Sequence, residues 1–289
     1  MIKMKKYLYL MRVHHYIKNI LIFMPLIFSG GLFEWNSFVR TLLGTASFSL
    51  VTSAVYIIND IRDVEKDRLH PTKKNRPIAS GAVAPAQAWL LMAVSLAAGI
   101  GLLALSGASA AGYALLLLYL VINIAYSMGL KDVPLLDIAI LASGFLLRVL
   151  FGAVLTGTEV SEWLYLTVLS AAFYLGLGKR RNELQKRREG DTRKVLRYYT
   201  RDFLDKNMYM CLALLNTFYA LWCKDITNEG RAYAVWTVPI VILICMKYNL
   251  TVEGNSEGDP VEVLLHDKAL LALCIVYGIV IMGMLYVGQ

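Results

Sequence analysis

The chain has 289 residues, of which 57% are hydrophobic and 17% charged, with a net charge of +8. A soluble domain carries about 25% charged residues, and here the charge is gathered in blocks between long apolar runs. That pattern excludes a water-soluble globular domain and points to an all-α, polytopic membrane bundle. The basic excess follows topology and anionic ligands, and nucleic acid is a poor explanation for it.

In chain order, Arg12-Val13-His14-His15-Tyr16-Ile17-Lys18-Asn19 reads as an interfacial amphipathic start. Lys18 there either anchors the chain or captures a lipid phosphate at headgroup depth. Nine apolar runs follow, at 20–33, 38–58, 87–106, 110–128, 135–156, 161–178, 208–223, 232–247 and 268–286. The first contains Pro25 and no small-residue cleavage site, so it reads as a membrane segment and not a cleaved leader. With a cytoplasmic N-terminus, only Arg40, Lys224 and Arg231 of the 29 Lys and Arg fall outside, while Arg148 and Lys268 lie within runs. This obeys the positive-inside rule. It places a single integral membrane domain over 1–289 in the cell membrane, with cytoplasmic motif loops at 59–86 and 178–207.

The second run passes directly into Asn59-Asp60-Ile61-Arg62-Asp63-Val64-Glu65-Lys66-Asp67. If helical, the spacing i, i+3, i+7 puts Asp60, Asp63 and Asp67 on one face. Carboxylates at the mouth of a membrane helix are expensive without a bound cation. Oxygen-only ligands followed by bases point to Mg²⁺ carrying a phosphorylated substrate. Arg68, Lys73, Lys74 and Arg76 come next and suit phosphate oxygens. Pro71, Pro77 and Gly81 forbid a long helix there, and His70 reads as a loop-shaping residue.

The fourth run ends Asn123-Ile124-Ala125-Tyr126-Ser127, with Lys131 and Asp132 beyond it. On the fifth, Asp137 and Arg148 return to nearly one helix face, about 16 Å apart along the axis. An intramembrane arginine is a functional candidate; an ion pair is the plainer alternative. After the sixth run comes Lys179-Arg180-Arg181-Asn182-Glu183, then Lys186-Arg187-Arg188-Glu189, a solvated or headgroup-facing stretch. Aligning Ile58–Asp63 with Gly178–Glu183 gives a weak hint of two related halves. Cys211, Cys223, Cys245 and Cys274 form no C-x-x-C pair and read as small packing residues.

These residues resemble the UbiA superfamily of membrane prenyltransferases, whose first motif, N-D-x-x-D-x-x-x-D, is matched by Asn59, Asp60, Asp63 and Asp67. Within it the chain is most similar to the decaprenyl-phosphate phosphoribosyltransferases. The resemblance is carried by Lys18-Asn19 with Pro25, by Asp67 through Lys73 and Arg76-Pro77, by Tyr126-Ser127 with Lys131, Asp137 and Ser143-Gly144-Phe145 through Arg148, and by Gly178-Lys179-Arg180 with Glu183-Leu184. Aromatic-acceptor members carry a second aspartate-rich motif after the sixth helix; here that stretch offers only the carboxylate of Glu183.

The resemblance implies Mg²⁺-dependent transfer of 5-phosphoribose from phosphoribosyl pyrophosphate to a polyprenyl phosphate at the cytoplasmic face, with release of pyrophosphate. It implies Asp60, Asp63 and Asp67 as catalytic metal ligands, with Glu183 as a further ligand. The substrate-binding set is Lys18, Asn59, Arg68, Lys73, Arg76, Tyr126, Lys131, Asp137, Arg148, Lys179 and Arg180. Lys179 and Arg180 would hold the 5-phosphate, and Lys18 with Arg12 the lipid phosphate. Two rivals stand beside this reading. An aromatic prenyltransferase requires the acidic second loop that is missing. A transporter usually places its ionisable groups near the bilayer midplane. Self-association and lipid chain length are left open.

Overall fold

The computed structural model describes residues 2–185, 194–228, 233–253 and 260–286. The charged run Lys186-Arg187-Arg188-Glu189 lies outside the described residues. Backbone polar groups in lipid must be satisfied within their own segment, so apolar runs of this length become helices. Among the described residues there are helices and no strand.

The order is α1 Ile2–Leu10, a 3₁₀ segment Val13–Phe23, α2 Met24–Phe28, α3 Trp35–Arg62, α4 Val64–Leu69, α5 Pro85–Leu105, α6 Ala110–Met128 and α7 Leu136–Thr156. Then follow α8 Glu162–Gln185, a 3₁₀ turn Lys194–Tyr198, α9 Arg201–Asn228, α10 Val238–Glu253, α11 Pro260–His266 and α12 Lys268–Tyr286. Six described helical stretches are long and apolar enough to cross a membrane: α3, α5, α6, α7, Ala234–Glu253 and α12. The protein is therefore multi-pass, although nine spans are not reached by this measure. The first expected run falls in the shorter apolar stretch Val13–Phe28. The sixth and seventh fall in α8 and α9, which are long but not apolar enough to join the six.

The chain forms two compact units. One comprises Met1–Met128 with Arg148–Thr158, the other Gly129–Leu147 with Glu159–Gln289, so α7 contributes residues to both.

In the first unit α3 is the central helix. Its small residues let neighbours approach closely, as is common between membrane helices. Ser47 Oγ donates to the carbonyl of Gly99 on α5 at 2.7 Å. The 3₁₀ segment runs against α3. It has 11 residues, whereas such runs seldom exceed 3–4, and side chains secure it. The Tyr16 and Ser53 hydroxyls share a hydrogen bond of 2.7 Å, and Asn19 Nδ2 donates to Ser49 Oγ at 2.7 Å. Gly152 is required beside it, because a Cβ there would stand 1.9 Å from the Ile22 carbonyl oxygen. An apolar cluster of Leu10, Ile57, Ile78, Val83 and Ala88 underpins the loop between α4 and α5.

In the second unit, Ile138, Tyr174, Leu177, Val195, Tyr199, Leu204 and Met208 form the core. That core pins the turn at Lys194–Tyr198 to the helices on either side.

Candidate active site

The site in the first unit is built on the end of α3. Asn59 and Asp60 occupy its last turn. The helix then breaks at Asp63 (φ −91°, ψ 6°), and Asp67 belongs to the separate α4. The single face expected from the spacing assumed one unbroken helix. The break replaces it with two short arms, on which Asp60 and Asp67 are buried and Asp63 is half-buried.

A guanidinium joins the two buried carboxylates. Arg76 Nη1 donates to Asp67 Oδ2 at 2.7 Å and to Asp60 Oδ1 at 3.2 Å. Arg12 Nη2 donates to the same Asp60 oxygen at 2.7 Å and lies over the Tyr56 ring, 4.6 Å from its centroid. Arg12, expected with Lys18 on a lipid phosphate, is paired with Asp60 in this structure. The loop that presents Arg76 is shaped by His70, whose Nδ1 accepts from the N–H groups of Thr72 (3.2 Å) and Lys73 (3.3 Å). Arg68 is exposed and pairs with Glu65 at 2.9 Å, and Lys73 is exposed on the loop.

Asn59 is held from α6. Ser127 Oγ lies within hydrogen-bond reach of both Asn59 Oδ1 and, at 2.9 Å, the carbonyl of Asn123, and its single proton serves one of them at a time. Tyr126, beside Ser127, is half-buried. Lys18, half-buried, adjoins Asn19, which is completely buried and accepts at Oδ1 from Arg148 Nε at 2.7 Å. The Arg148 guanidinium also faces the rings of Phe48 and Tyr119, 5.0 and 5.2 Å away.

The arrangement fits a cation. Its donors are oxygens, and a positive group already lies between the two buried carboxylates. Among the described residues no three His, Cys, Asp or Glu side chains converge as a ready-made cage. Two carboxylates are nonetheless what Mg²⁺ commonly takes from a protein, with substrate oxygens and water completing its shell.

The second unit holds the remaining candidates. Asp137 and Arg180 are completely buried. Arg180 donates from Nε to Asp137 Oδ2 at 2.5 Å and from Nη1 to Glu183 Oε2 at 2.6 Å. Asp137 thus has Arg180 as its ion-pair partner. Lys131 and Lys179 are half-buried. Tyr199, which sequence reasoning missed, donates to Asp137 Oδ1 at 2.5 Å and accepts from the Leu135 N–H at 2.7 Å. Burial, and then the bond to Asp137, pushes its phenol up to about 12. An aromatic pair, Tyr198-Tyr199, inside a highly charged loop was the available signal.

The model of the UbiA prenyltransferase family matches residues 20–264. The decaprenyl-phosphate phosphoribosyltransferase of Corynebacterium glutamicum is 33% identical over 288 residues, covering 95% of this chain and 86% of the relative. That of Mycolicibacterium smegmatis is 32% identical over 279 residues, covering 91% and 86%. Among solved structures, a UbiA homolog from Archaeoglobus fulgidus bound to DMAPP and Mg²⁺ superposes with a TM-score of 0.69. It covers 96% of this chain and 99% of its own at 20% identity, and so bears on the fold alone.

Proposed function

Because this chain belongs to the UbiA prenyltransferase family, we propose that it is a membrane transferase moving 5-phosphoribose from phosphoribosyl pyrophosphate to a polyprenyl phosphate. Pyrophosphate leaves, and the reaction takes place at the cytoplasmic face. The phosphoribosyltransferase relatives support the donor and the acceptor. The carrying observation is the buried pair Asp60 and Asp67, set among Arg12 and Arg76 at the end of a membrane-length helix. The residues after the sixth apolar run, Lys179 to Glu183, support a phosphoribosyl donor over a prenyl diphosphate, because they offer bases where a second acidic motif would stand.

In this reading Asp60, Asp67 and Asp63 hold Mg²⁺, with Asn59 kept in place by Ser127. Bound Mg²⁺ supplies Lewis-acid stabilisation of charge on the departing pyrophosphate. Arg76, Arg68 and Lys73 bind donor phosphate oxygens by charge-assisted hydrogen bonds. Lys18 holds the lipid phosphate, and the Asn19–Arg148 contact fixes the segment that carries it. In the second unit Lys179 and Lys131 supply positive charge to phosphate. Arg180, committed to Asp137 and Glu183, positions the end of α8 that carries Lys179. The acceptor phosphate is already anionic, so attack on ribose C1 requires no strong general base. Catalysis is then positioning and electrostatic stabilisation, and in-line attack inverts C1.

The test is pyrophosphate release by purified protein. Release should require Mg²⁺, phosphoribosyl pyrophosphate and polyprenyl phosphate together, and a chelator should stop it. Release from a prenyl diphosphate with an aromatic acceptor instead would favour the rival transferase. No release with any donor would favour a transporter.

A further inference from the structure

We infer that Arg76 is an internal counter-ion that a divalent cation must displace from Asp60 and Asp67, and that the displaced guanidinium then engages the phosphate oxygens arriving with the cation. This rests on the metal reading of the site given above.

The geometry is specific. A single nitrogen, Arg76 Nη1, reaches both buried carboxylates, at 3.2 and 2.7 Å. One cationic group thus already answers both carboxylates. The two buried carboxylates are already balanced by two guanidinium groups, and the half-buried Asp63 adds one further negative charge. A divalent ion entering with both arginines in place would leave uncompensated positive charge in a partly buried site, which is costly. One positive group must leave, or an anion must enter.

The two arginines are not equally free to leave. Arg12 is bonded to Asp60 and also covers the Tyr56 ring. Arg76 has its backbone fixed, with its N–H on the Lys73 carbonyl at 2.9 Å and Pro77 following. Among the described residues its side chain is bonded to the two carboxylates, and it is 24% exposed. It can turn outward without unfolding the loop. The planar fork of a guanidinium suits phosphate oxygens, so the group that blocks a bare metal ion becomes a ligand for a metal–pyrophosphate complex.

The consequence is a pair of effects with opposite signs. The full-length protein in detergent is titrated with Mn²⁺, followed by electron paramagnetic resonance, and separately with preformed Mn²⁺–pyrophosphate. Arg76→Gln should bind bare Mn²⁺ roughly tenfold or more tighter than wild type, and Mn²⁺–pyrophosphate roughly tenfold or more weaker. That is the size of one lost charge-assisted hydrogen bond. Lys66→Gln, an equal change of charge at an exposed neighbour of Asp67, should shift bare Mn²⁺ affinity by less than about twofold, well below one such bond. If Arg76→Gln does not fold, Arg76→Lys should shift both affinities in the same directions by smaller factors.

Unchanged or weaker binding of bare Mn²⁺ by Arg76→Gln would overturn the inference, because Arg76 would then support the carboxylates. So would equal shifts in Arg76→Gln and Lys66→Gln, which would reduce the effect to net charge. If neither wild type nor any variant bound Mn²⁺ in either form, the metal reading itself would fall, a result distinct from the other two.

Discussion

Arg148, deep in α7, donates from Nε to Oδ1 of Asn19 at 2.7 Å, so a guanidinium within a membrane-length helix is answered by a completely buried amide. Charge at such depth is tolerated when hydrogen-bonded and buried in protein. Removing one partner of such a contact costs more than removing both. Asn19→Leu should therefore lower the thermal midpoint in detergent more than the double variant Asn19→Leu/Arg148→Met does. A double-mutant cycle measures this coupling. Strictly additive effects would mean that the contact contributes nothing of its own.

Gly152 makes a sharper prediction. A Cβ there would meet the Ile22 carbonyl oxygen at 1.9 Å, a backbone atom that cannot step aside. Gly152→Ala should displace the 3₁₀ segment and sharply reduce the yield of folded protein. Gly283→Ala, with nothing within 4 Å of the added Cβ, should be neutral or slightly stabilising because alanine favours helix. Size-exclusion profiles and melting midpoints of the two variants check the contrast.

Tyr199 gives a pH dependence. Its phenol is pushed up to about 12 by burial and by Asp137, so the folded state favours the protonated form. The resulting stability is complete below the ordinary phenol pKa of about 10 and is lost as pH rises through about 12. Wild type should lose stability over that window in a step that Tyr199→Phe lacks. At neutral pH Tyr199→Phe should be less stable by about 1–3 kcal/mol, since a buried Asp137 oxygen and the Leu135 N–H lose their partner. Identical alkaline profiles for the two proteins would remove the basis for this effect.

The carboxylates give the activity prediction. Asp60→Asn and Asp67→Asn, at the two buried carboxylates, should each abolish turnover in protein that remains folded, because a neutral amide cannot balance Mg²⁺. Asp63→Asn, at the half-buried carboxylate, should keep some activity. Wild-type rates for both of the first two variants would defeat the metal assignment.

Much of this molecule could be read from sequence for identifiable reasons. The strongly apolar runs behind α3, α5, α6, α7 and α12 left no alternative to membrane-length helices. The apolar parts of α8 and α9 were also visible, but not their extent. The helices continue into charged residues, to Gln185 and from Arg201, where hydropathy no longer marks them. The acidic motif was found by spacing, yet its geometry was not. No helix-breaking residue announces the interruption at Asp63, since local sequence there is compatible with helix on both sides. Arg12 lies 48 residues from Asp60 and Arg76 lies 16, and the network between them is set by packing that no local pattern records. Asp137 and Arg148 stood out as charges within an apolar run, but their partners, Arg180 and Asn19, lie far away in sequence, where no spacing along one helix could indicate them.

The measurement that bears most directly on the central claim is the fate of the ribose. Purified protein is incubated with Mg²⁺, phosphoribosyl pyrophosphate labelled in the sugar, and polyprenyl phosphates of several chain lengths, and the lipid is then extracted. The account predicts label in a phosphorylated polyprenyl lipid, with one pyrophosphate released per label transferred and none transferred by Asp60→Asn. Label remaining wholly in the aqueous phase, while a prenyl diphosphate is joined to an aromatic acceptor by the same preparation, would contradict it.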